Sequence, residues 1–152
     1  MTRPGCRQLI VTAATALVDS DRAVTLRAVS REAGLPTSSI YPLFPDAEAI
    51  LLATCHEAFR DLEAAVLGAA GPYAAGLAYL EFAVEHPRRY HVMFGAADLS
   101  EPALRLFTQV LADPDRALVF WLGLHGLADQ RSSIRRSPQF HVVAPRLITS
   151  LI

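Results

Sequence analysis

The chain has 152 residues, 52% of them apolar and 19% charged, with a formal net charge of −1. That apolar fraction excludes wholesale disorder and allows a buried core, while the near-neutral charge gives no global argument for a nucleic-acid partner. The longest apolar runs, such as Leu118 to Leu122, fall far below the roughly 18–20 residues of a membrane span, so no membrane contact is expected.

No segment alternates with the two-residue period of a strand, so an all-α fold is expected. A first helix is predicted from Arg7 to Val18, with Leu9, Ile10, Ala13, Ala14, Leu17 and Val18 on one stripe, and Asp19-Ser20-Asp21 breaks it. Thr25 suits the N-cap of a short helix through Glu32, and Gly34 stands where a left-handed helix end favours glycine. Pro36 suits the first turn of a second short helix, Thr37 to about Tyr41, which Pro42 should end or distort for want of an N–H. Asp46 then caps a long helix whose stripe is Ile50, Leu51, Thr54, Ala58, Leu62 and Ala65, with Gly68 as its end.

Gly71-Pro72 opens the second half. A helix carrying Leu77, Leu80, Phe82 and Ala83 should stop at His86, because Pro87 disfavours helical geometry in the residue before it. Pro87 starts the next helix, with Gly95 as its stop, and Ser100 and Asp113 are N-caps for two more. The segment from Pro114 to about Ala128 is apolar nearly all round, which predicts burial in a core or a subunit interface. Residues 129–139 read as an exposed loop, and Pro145 as the start of a last short helix.

The stretch from Thr25 to Asp46 carries the functional signal. Two short helices at a steep angle need a small residue at their crossing (Ser30), glycine in the turn (Gly34) and a shared apolar core (Val29, Ala33, Leu35, Ile40, Leu43). That arrangement leaves Thr37, Ser38 and Tyr41 outward, able to reach base edges or phosphates. An ordinary helical hairpin with a glycine turn fits the same spacing.

The segment Leu9 to Leu52 resembles the DNA-binding domain of the TetR family, through Thr25, Ala33-Gly34 and Ile40-Tyr41-Pro42-Leu43-Phe44 in matching order. Phe82 to Phe94 and Trp121-Leu-Gly-Leu-His-Gly126 are similar to a subgroup of the same family. The resemblance implies a helix-turn-helix domain over 1–46 and a helical ligand-binding and dimerisation domain over 47–152, with 47–67 as the connecting helix. It implies a cytoplasmic, ligand-responsive repressor that binds a palindromic duplex DNA operator as a homodimer. Thr25 and Tyr41 would hold phosphates and Thr37 and Ser38 would lie nearest the bases, with Arg27 and Ser39 completing the contact set. Where the family commonly has His and Lys, this chain has Leu43 and Ala47. Both backbone contacts are then absent, which predicts weaker and more salt-sensitive DNA binding that leans on Arg22, Arg27 and Arg31.

By the same resemblance, a small apolar or weakly polar effector would sit among Tyr79, Phe82, Met93, Phe107, Trp121 and His125. For His125 the first reading is a core histidine bonded to a backbone carbonyl, with the pocket as the second. Leu118, Leu122 and Leu147 are the expected dimer contacts. No cofactor, metal or catalytic role is expected: Cys6 and Cys55 and the five histidines have no ligand spacing, and no convergent catalytic grouping is visible. The competing reading is a TetR-like helical scaffold without specific DNA binding, acting through ligand or protein contacts; a small helical enzyme is a third.

Overall fold

The computed structural model describes residues 5–129 and 140–152, and among them every regular element is a helix. In chain order these are α1 (Cys6–Asp19), α2 (Leu26–Ala33), α3 (Thr37–Ile40), α4 (Ala47–Leu67), α5 (Pro72–Glu85), α6 (Pro87–Gly95), α7 (Ser100–Leu111), α8 (Pro114–Asp129) and α9 (Phe140–Leu151). The protein is all-α. The chain divides into two compact units, one through Ala58 and one from Phe59. The division falls inside α4, whereas the sequence places a boundary ahead of that helix. Ile50 is part of the first unit's core and Ala49 and Ala53 pack on it, so the start of α4 serves that unit.

In the first unit α1, α2 and α3 pack on one another. Ile10, Ala14, Leu17, Val29, Ile40 and Ile50 are fully buried there. Leu43, expected in this core, is 40% exposed, and its neighbour Phe44 is buried instead. The reason is the turn after Ile40: the Leu43 and Phe44 N–H groups both donate to the Ile40 carbonyl, which rolls Phe44 inward. Arg7 covers that ring, its guanidinium carbon 4.5 Å from the Phe44 centroid. Along α4, Ile50, Thr54, Ala58 and Leu62 are buried as predicted, but Ala65 is exposed and Val66 takes its place.

In the second unit α5 packs on α6, α7, α8 and α9, and α8 packs on α7 and α9. Two close approaches fix this arrangement. A Cβ on Gly76 would lie 2.9 Å from Phe120 Cζ, and one on Gly123 would lie 2.6 Å from Leu151 Cδ1. Asp113 caps α8 as predicted, accepting from the N–H groups of Asp115 and Arg116 at 3.1 Å. Ser100 does not cap α7. It is the first residue of that helix, and its hydroxyl donates to the Asp98 carboxylate at 2.8 Å.

Two expectations at the C-terminus change. Asp129 is the last residue of α8 rather than the start of a loop; the remainder of that predicted loop, 130–139, lies outside the described residues. Pro145 lies inside α9, not at its start. An interior proline costs about 3 kcal/mol through its missing N–H and ring clash. Phe140, Ala144 and Ile148 nevertheless fall on one buried stripe. Burying Phe and Ile at about 1.5–3 kcal/mol each offsets that penalty.

Candidate functional site

The outward face of the first unit is built by three local devices. Thr25 caps α2, its hydroxyl oxygen accepting from the Ala28 N–H at 3.1 Å. Gly34 ends α2 at φ 65°, the left-handed geometry that turns the chain toward α3 without steric cost. Ser30 has a larger role than its small size at the crossing. Its hydroxyl donates to the Leu35 carbonyl at 2.6 Å and so ties α2 to the residue that leads into α3.

On that frame α3 is a single turn, and Pro42 follows it as the sequence expects. Thr37, Ser38 and Tyr41 are exposed, Tyr41 at 57%, while Ile40 on the opposite side is fully buried. Ser39 is half-buried, and Thr25 and Arg27 are exposed on α2 and its cap. Arg22 is engaged, its guanidinium 3.3 Å from the Glu32 carboxylate. Arg27 and Arg31 are exposed cations of α2 on either side of its buried Val29.

The second unit gathers its polar chemistry inside. Tyr79, Met93 and Phe107 are fully buried, and Trp121 and Phe82 nearly so. Tyr79 meets Phe107 edge-on at 5.4 Å and Tyr90 at 5.8 Å. Phe82 stands apart from this group, against His86 at 5.0 Å. A hydrogen-bonded row crosses the cluster. The Trp121 indole N–H donates to the Tyr79 hydroxyl at 3.1 Å, that hydroxyl lies 2.9 Å from the Tyr90 hydroxyl, and Tyr90 lies 2.6 Å from His125 Nδ1.

Donor chemistry fixes one end of this row. Indole can only donate, so the Tyr79 oxygen accepts from Trp121, whereas the Tyr79–Tyr90 and Tyr90–His125 bonds can each run in either direction, the second with the tautomer of His125. The histidine is therefore bonded to a tyrosine rather than to a backbone carbonyl. Burial pushes the His125 pKa below its ordinary value, opposed by the Asp129 carboxylate. Burial also raises the Tyr79 pKa, opposed by its bonds to Tyr90 and Trp121, so the phenol stays protonated. Trp121 stacks on His125 with ring centroids 5.0 Å apart and planes at 26°.

Tyr90, one of the aromatic residues of the Phe82 to Phe94 segment, is not in the expected effector set, yet it joins Tyr79 to His125. Of the residues expected at a subunit interface, Leu118 and Leu122 are 41% and 52% exposed. Val119 beside them is 56% exposed. Leu147 is half-buried, close to Gly123 of α8. Among the described residues, the outer face of α8 therefore presents exposed apolar side chains. Among the described residues no three of His, Cys, Asp and Glu gather where they could hold a metal, and no helix is long and apolar enough to cross a membrane.

Residues 73–139 match the family model described as the tetracyclin repressor-like C-terminal domain, which supports a TetR-like family. The fold is shared with a candidate regulatory protein, SCO4313, at 18% identity and a TM-score of 0.76, over 96% of this chain and 94% of that one. It is also shared with a protein of unknown function from Rhodococcus sp. RHA1, at 21% identity and a TM-score of 0.70, over 97% of this chain and 92% of the other. No match is found among curated proteins.

Proposed function

We propose that the chain is a TetR-type transcriptional regulator that binds a palindromic site on duplex DNA as a homodimer and responds to a small apolar or weakly polar effector. The observation that carries this reading is the exposed polar turn of Thr37, Ser38 and Tyr41, held over a buried Ile40 by the left-handed Gly34. A protruding short-chained helix of this kind fits the major groove, where side chains at its start meet base edges. The tetracyclin repressor-like match over 73–139 gives independent support from the other end of the chain. Homodimer formation would use the exposed face of α8, Leu118, Val119 and Leu122, together with Leu147 of α9. The effector would lie against the aromatic cluster around Tyr79, Phe107, Trp121 and His125.

Arg22 already faces Glu32. Phosphate contacts would then fall to Thr25, Arg27, Arg31 and Tyr41, few enough that binding weakens steeply with salt. The test is selection of bound duplexes from a random pool, followed by affinity measurements on the selected sequence. Tyr41→Ala should weaken binding to all sequences alike. Thr37→Ala and Ser38→Ala should change the preferred sequence, with discrimination altered by about 1–3 kcal/mol per lost base contact. No enriched sequence, with equal weak binding by all four proteins, would favour a helical scaffold without specific DNA binding. Leu122→Glu should give a monomer by sedimentation; a dimer that persists moves the interface elsewhere.

A further inference from the structure

Between α5 and α9 lies a groove of about 200 Å³ that the aromatic cluster and the α8 face do not account for. Its walls are mostly apolar: Leu80 and Val84 from α5, Phe140 and Pro145 from α9. Leu80 and Phe140 are buried beneath it, whereas Val84 is 41% exposed at its edge. Three polar groups line the same groove, Glu81 and Glu85 on α5 and His141 on α9.

Glu81 and Glu85 are one helical turn apart, so their carboxylates stand on one edge of the groove, and both are exposed. Salt bridges are present elsewhere, at Arg22–Glu32 and Arg105–Glu101, but none joins either of these two carboxylates among the described residues. Like charges at this spacing repel and destabilise a helix slightly. An apolar trough with uncompensated negative charge along one edge complements one chemical class: a small organic cation with an apolar body.

We infer that the α5–α9 groove binds amphipathic ammonium compounds. The apolar part would lie against Leu80, Val84 and Phe140, and the ammonium would lie between Glu81 and Glu85. Size narrows the class. A cavity of about 150 Å³ accepts a benzene ring, so a groove slightly larger has room for one ring and a short charged arm. A neutral molecule of the same shape would gain the apolar contact and not the charge; an anion would be repelled. This inference does not depend on DNA binding, since it concerns occupancy of the groove alone.

The probes are 2-phenylethylammonium, the neutral 2-phenylethanol and the anionic phenylacetate, titrated into the full chain with NMR shifts of Val84 and His141 as the local readout. The cation should bind at millimolar level or better, roughly three- to tenfold more tightly than the alcohol, as expected for partly exposed ion pairs. Glu81→Gln/Glu85→Gln should abolish that preference and leave alcohol binding unchanged. Both positions are exposed, so the variant should fold, which its helical signal and melting point would check. Val84→Ser should weaken cation and alcohol together. Equal binding of all three probes, a cation preference that survives the double substitution, or no perturbation at Val84 and His141 by the cation would each overturn the inference.

Discussion

The two units of this chain keep their polar chemistry in opposite places. In the first, hydroxyls and cations stand outside a small aliphatic core: Thr37, Ser38 and Tyr41 are exposed while Val29 and Ile40 are fully buried. In the second, the most connected polar groups lie at the centre, where Tyr79 and Tyr90 are almost wholly withdrawn from solvent and bonded to each other. A surface hydroxyl can be removed at little cost to folding. A buried one leaves a partner stranded, and stranded buried donors cost about 1–3 kcal/mol. Binding and stability should therefore separate in the first unit and remain entangled in the second.

The largest expected effect tests how fully the second unit is packed. Phe107→Ala removes a fully buried ring that meets Tyr79 and Phe120 edge-on at 5.4 and 5.3 Å. It should lower stability by about 3–5 kcal/mol in urea unfolding. A loss well below that would mean the cluster collapses into the space, and the unit is softer than its packing implies.

Next, Tyr79→Phe keeps the ring and deletes one oxygen. The Trp121 N–H loses its partner and the Tyr90 hydroxyl loses one of its bonds while keeping that to His125, so a loss of about 1–3 kcal/mol is expected. Tyr41→Phe, the matching change on the exposed side, should leave the unfolding midpoint unchanged. If the two changes cost the same, the contrast between inside and outside fails.

Thr25→Ala should cost about 1 kcal/mol, the usual worth of an N-cap hydroxyl. Its effect should appear as faster amide exchange in α2 rather than as a change at Trp121. The smallest effect concerns pH. With its folded pKa depressed by burial, His125 contributes stability that is fully present above the unfolded value of about 6.5 and is lost as pH falls through the folded value. Wild type should therefore lose more stability on going from neutral to mildly acidic solution than His125→Gln does. Parallel pH profiles for the two proteins would remove His125 from the account.

What the sequence made legible was chemistry that acts within a few residues. Thr25, Gly34, Pro42, Asp46 and Asp113 each shape the chain through their own backbone or a partner one turn away, so their roles follow from identity and spacing. What stayed hidden needed a third dimension. Tyr79, Tyr90 and His125 come from α5, α6 and α8, and nothing local announces that their polar atoms converge. Pro145 misled for a related reason: its local preference is for the first turn of a helix, and the buried stripe of Phe140, Ala144 and Ile148 that overrides it becomes visible only when α5 and α8 supply the opposing surface. Leu43 misled because apolar character identifies a candidate for burial, while the turn after Ile40 decides which neighbour turns inward.

The row from Trp121 to His125 also makes the molecule its own optical instrument. The chain has a single tryptophan, and its indole is stacked on the one histidine of the polar row. Protonated imidazole quenches indole emission and neutral imidazole does so far less, so Trp121 fluorescence should dim as His125 takes up a proton and shift to the red when the second unit opens. The first unit holds no tryptophan, so its unfolding would be silent in that channel and visible only in the helical circular dichroism. Recording both signals during one denaturant titration would show whether the two units melt together or in turn, with no label added to either.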